Sequence, residues 1–95
     1  MASREDWRRV LDAEVQRWSA LSCDRIVLAL RDMQVYEVPS ESGTCQVEVQ
    51  LVENTREYVH VLVSVDDGRL PGSMFPLSES FICYRGFQEK AALSG

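Results

Sequence analysis

"TCQVEVQLVENTREYVHVLVSVDDG", residues 44 to 68, is the stretch on which the fold turns. Cys45, Val47, Val49 and Leu51 alternate with Gln46, Glu48 and Gln50. Val59, Val61, Val63 and Val65 alternate with Tyr58, His60, Leu62 and Ser64. A period of two sends successive side chains to opposite faces of a pleated strand, so each run is a strand with one apolar face. "NTR" between them closes a hairpin. Both apolar sets carry odd numbers, so directly opposed residues must have numbers that sum to an even value. A three-residue loop at Asn54, Thr55 and Arg56 meets that condition, pairing Leu51 with Val59, Val49 with Val61 and Val47 with Val63. It sets His60 opposite Gln50, and Glu53 opposite Glu57 at a mild like-charge penalty. A two-residue loop would set each buried valine against a solvent-facing residue and is rejected for that reason.

Downstream, Asp66 ends the second strand and Asp67-Gly68 is a tight-turn signal, because both residues tolerate positive φ. "SMFPLSESFICYR" then offers a further strand near Met74 to Leu77, with Pro76 marking an edge or bulge. "FICY" either continues as strand or forms a short turn. The tail from residue 86, GFQEKAALSG, is polar and small and is expected to be loosely ordered.

Upstream, Val35 to Val38 reads as a short strand ended by Pro39 and the turn-rich "PSESG". "LSCDRIVLALRD" favours a short helix capped by Ser22 with Ile26, Val27 and Leu30 inward. Alternating Ile26, Leu28 and Leu30 leave a strand open. Trp7, Val10, Leu11, Val15, Trp18 and Leu21 recur at helical spacing, predicting an amphipathic helix over residues 4 to 21 in which Glu14 reaches Arg17 or Trp18. The expected fold is a single two-layer α+β domain over residues 1 to 95. Its helical part, about residues 3 to 31, packs on a three- to four-stranded antiparallel meander over about 34 to 85.

The chain carries 15 acidic against 10 basic residues, a formal charge of −5. That balance argues against phosphate backbones and anionic lipid, both of which require a basic footprint. No apolar run reaches the ~20 residues of a membrane span. "MASREDWRRV" is charged where a secretory leader would be apolar. Cys23, Cys45 and Cys83 are odd in number and widely spaced, a poor disulfide framework, which suggests a reducing cytoplasm.

His60 is the only histidine. Ser64, four residues along the same strand, lies about 13 Å away, too far for a nucleophile–base pair. Three scattered cysteines and one histidine do not form a zinc ligand pattern, and no cofactor motif occurs. Cys23, near a helix start, is the best candidate for a reactive thiol. The chemical alternative is an enzyme or small-ligand site at the sheet end, built from Asp66 or Asp67 with Cys83 or His60. The preferred expectation is binding: Gln46, Glu48, Gln50, Tyr58, His60 and Leu62 make a mixed polar, aromatic and apolar face suited to a protein partner or a second copy.

Together "WRRVLDAEVQRWSALSCDRIV", "CQVEVQLVENTREYVHVLVSVDDG" and "FPLSESFI" resemble a group of small bacterial α+β proteins with no established activity. The resemblance spans about residues 5 to 82 and implies a compact bacterial domain without supplying site residues. "RLPGSM" departs from that pattern, standing where an aromatic-bearing strand start belongs.

Overall fold

The computed structural model describes residues 4–41, 43–67 and 76–85. Helix α1 (Arg4–Ser19) and helix α2 (Cys23–Ala29) precede strands β1 (Gln34–Ser40), β2 (Gly43–Asn54), β3 (Tyr58–Asp66) and β4 (Leu77–Tyr84). The strands form one open antiparallel sheet in the order β1-β2-β3-β4. Helix α1 lies over one face, chiefly across β3 and β4. The architecture is therefore the α+β meander expected from the change of hydrophobic period.

Within residues 22 to 31, Cys23–Ala29 is helix and not strand. Ser22 holds extended backbone, and its hydroxyl accepts from the Arg25 amide at 3.2 Å, satisfying a donor left over at the helix start. Cys23, Ile26 and Leu30 then fall on one face and are buried. α1 ends two residues earlier than its apolar stripe predicts. The Leu21 amide bonds to the Trp18 carbonyl at 3.1 Å, an i to i−3 bond that tightens the chain out of the α-helix.

The core is a valine floor under an aromatic lid. Val47, Val49, Val59, Val61, Val63 and Val65 are fully buried against Trp7, Val10, Leu11, Trp18 and Ile26. β-branched side chains are stiff and pack well on a pleated surface, so the floor loses little rotamer freedom when covered.

β1 runs through Pro39, which pairs with Thr44, and does not stop before it. Because β1 is an edge strand, a residue without an amide donor is tolerated there. "FICY" is strand, forming the second half of β4. The proposed strand start at Met74 lies outside the described residues, as do the Gly68 turn position and the tail.

The hairpin register departs from expectation. Leu51 pairs with Val61, Val49 with Val63 and Val47 with Val65, while Gln50 faces Leu62 and His60 faces Glu53. The Thr55 amide donates to the Tyr58 carbonyl at 2.9 Å, so Arg56 and Glu57 form a two-residue loop. A bulge between Leu51 and Glu53 absorbs one residue, Val52. Alone, a two-residue loop would reverse the faces. The bulge reverses them back, so the valines still meet valines. No described non-glycine residue has positive φ, so the turn is not of the primed type that matches strand twist. The Thr55 hydroxyl compensates by accepting from the amides of Glu57 (3.1 Å) and Tyr58 (3.0 Å). The bulge restores local twist.

Candidate functional site

Strand alternation sends Thr44, Gln46, Glu48 and Gln50 of β2 and Tyr58, His60, Leu62 and Ser64 of β3 away from the helices. The six residues expected to bind therefore do share one face of the sheet. Antiparallel pairing adds Ser78, Ser80, Ile82 and Tyr84 of β4 and Val35 and Glu37 of β1 to it. Cross-strand rows then read Val35–Glu48–Ser64–Ser78, Gln50–Leu62–Ser80, Glu53–His60–Ile82 and Tyr58–Tyr84.

Those rows are not equivalent. The half nearer Gln46 is polar. The half nearer the β2–β3 turn carries Leu62, Ile82, Tyr58 and Tyr84, with Val52 at the bulge. Ile82 is 44% exposed, Val52 51% and Tyr84 57%, high values for large apolar groups on an ordered sheet. The tyrosine rings meet edge to face, with centroids 6.4 Å apart. Tyr58 donates its hydroxyl to Glu53 Oε1 at 2.9 Å, and that carboxylate raises the phenol pKa. Glu53, Tyr58 and Tyr84 thus form a carboxylate-and-aromatic corner across three strands.

Charge is divided just as unevenly. Every ion pair among the described residues belongs to the helix layer or its margin: Arg8 with Asp12 and Glu79, Arg9 with Asp6 and Glu41, Arg17 with Glu14, Arg85 with Asp24. The outward strand positions include no Lys or Arg among the described residues. Glu37, Glu48 and Glu53 consequently have no cationic partner there.

Opposite this face, a cleft of about 530 Å³ separates α1 from β1 and is lined by Asp6, Arg9, Val10, Glu14, Val38 and Glu41, among others. Its charges already serve the fold. Arg9 bridges Asp6 (3.7 Å) and Glu41 (3.0 Å). Glu14 is buried and accepts from Arg17 at 2.8 Å and from the Tyr36 hydroxyl. That hydroxyl accepts in turn from Trp18 Nε1 at 2.8 Å. Burial and the Glu14 carboxylate both raise the Tyr36 pKa. The Glu14–Arg17 pair follows from helical spacing, whereas Tyr36 as its third member has no sequence signal.

The candidates for chemistry are kept apart. Asp66 and His60 are six strand residues apart, about 20 Å at ~3.3 Å per residue. Cys83 pairs with Val59 on the helix side, the opposite face from His60. Cys23 is buried. Its thiol donates to the Cys83 carbonyl at 3.2 Å, and burial, reinforced by Cys83, pushes its pKa up to about 12. The helix start does not activate this thiol, because desolvation of the thiolate outweighs a short helix's dipole.

The fold and the exposed sheet face define a small α+β domain with an apolar and aromatic surface that α1 and α2 do not cover. Compared with known protein families, curated proteins and solved structures, the chain matches none.

Proposed function

We propose that the chain is a non-catalytic protein-interaction module whose binding surface is the turn-proximal half of the outer sheet face. The observation that carries this reading is the clustering of Val52, Leu62, Ile82, Tyr58 and Tyr84 around His60 on a face that α1 and α2 do not cover. Aromatic and aliphatic groups held rigidly on a sheet lose little entropy on docking, and tyrosine supplies both contact area and a polar tip. Gln46 and Glu48, at the far end, form the polar rim of that surface, while Gln50, beside Leu62, borders its centre.

Phosphate-bearing partners are disfavoured, since the face offers carboxylates and no cation among its described residues. No helix among the described residues is long and apolar enough to cross a membrane. A bacterial cytoplasmic setting belongs to the same reading, supported by the resemblance and by the odd, widely spaced cysteines.

A photo-crosslinking residue in place of Tyr84, compared with one in place of the exposed Leu28 of α2, tests the surface in host cells. Adducts should form from position 84 and not from position 28. Equal yields from both, or none from 84, would show that the face does not dock a partner.

A further inference from the structure

The face assigned above also specifies the chemistry of its partner, if that assignment holds. We infer that it receives a segment carrying a bulky apolar side chain next to an arginine or lysine. The apolar group seats on Leu62, Ile82 and Val52, and the cation enters the corner made by Glu53, Tyr58 and Tyr84.

Charge complementarity is the first support. Arg8, Arg9 and Arg17 of α1 and Arg85 after β4 engage Asp6, Asp12, Glu14, Asp24, Glu41 and Glu79, yet Glu37, Glu48 and Glu53 have no cation among the described residues. Six acids of the helix side and its margin are thus paired, while three of the outer face have no cation among the described residues. A cationic partner gains from each of them, and an acidic one is repelled.

Geometry is the second. Tyr58 Oη engages only Oε1 of Glu53, so the carboxylate retains acceptor capacity for a guanidinium or ammonium. Tyr84, edge to face with Tyr58 and 57% exposed, offers a ring against which the same cation can stack. Ile82 and His60 share the row of Glu53, one strand repeat from Tyr58 and Tyr84. The spacing suits neighbouring outward side chains of one partner segment.

A second copy of this chain is the wrong partner. Face-to-face pairing would bring together two surfaces that each carry Glu37, Glu48 and Glu53. The described outward positions supply no cation to offset them.

Selection of a random twelve-residue peptide library on the intact chain tests the inference, with the survivors rebound to variants. The expected survivors are net basic and place Leu, Phe or Trp beside Arg or Lys. Their binding should vanish in Ile82→Ser/Tyr84→Ser. It should weaken roughly threefold to tenfold in Glu48→Gln/Glu53→Gln, as the loss of exposed ion pairs implies. It should also weaken with added salt. Survivors that need Ile82 and Tyr84 but are neutral or acidic would overturn the cationic partner while leaving the face intact. Survivors indifferent to Ile82→Ser/Tyr84→Ser, or no survivors, would overturn both.

Discussion

The two faces of this sheet are built from the same strands and differ in almost everything else. On the helix side every described valine of β3 is fully buried, and Glu41, Glu79 and Asp24 are tied to Arg9, Arg8 and Arg85. On the outer side Val52, Ile82 and Tyr84 remain exposed, and Glu37, Glu48 and Glu53 have no cation among the described residues. Pleating guarantees that each strand has two faces, but it does not say what each face is for. The helix layer makes that choice by covering one face and supplying its counter-charges. Apolar groups on the other face are held only by cross-strand neighbours, so each contributes less to folding than a buried valine.

Substitutions should therefore separate stability from association. Leu11→Ala, at a fully buried position of the aromatic lid, should lose about 2–5 kcal/mol in denaturant unfolding, because the cavity cannot collapse against a stiff valine floor. Ile82→Ala on the outer face should stay within about 0.5 kcal/mol. A comparable loss at both sites would break the distinction between the faces.

Tyr36→Phe should cost about 1–3 kcal/mol in the same measurement, since it strands the Trp18 indole donor and removes a donor to the buried Glu14. An unchanged midpoint would show that water replaces the hydroxyl.

The inner face should also be sensitive to alkali. The folded Cys23 pKa is raised, so the fold favours the thiol. Its stabilisation is complete below the ordinary value of 9.0 and is lost as pH climbs toward about 12. Cys23→Ala should flatten the fall of stability across that window. The slope contributed by Tyr36, whose pKa is also raised, should remain. Identical slopes would place the thiolate in a more polar environment than burial implies. In the native protein at pH 8, Cys23 should resist alkylation until the chain unfolds.

The smallest effect is the most informative about register. Deleting Val52 should remove the bulge and join Leu51–Val61 directly to Glu53–His60 in an uninterrupted ladder with the two-residue loop unchanged. Stability should move by no more than about 1 kcal/mol, and both faces should keep their residues. Loss of folding would mean that the bulge's twist is required to seat the sheet under α1.

Much of this was legible because alternation is a strong signal when one face is buried. The assignment of Val47, Val49, Val59, Val61, Val63 and Val65 to the core, and of Gln50, Tyr58, His60 and Leu62 to the other face, follows from parity alone. The register did not follow, because parity is conserved when a shorter loop and a bulge change together. Both arrangements satisfy the same pattern. Ile82 and Tyr84 escaped for a different reason. Phe81, Ile82, Cys83 and Tyr84 are all apolar or weakly polar, so alternation carries no information about which of them turns outward. Only pairing to Val61, His60, Val59 and Tyr58 sorts them.

By itself, then, the sequence determined the elements, their order and the valine face, since those depend on local periodicity and on how far a chain must run before it turns. Tertiary structure decided the Val52 bulge, the burial that quiets Cys23, and the meeting of Glu53, Tyr58 and Tyr84. Each depends on residues from different strands or layers arriving at one place, and cross-strand distance is not written in local spacing.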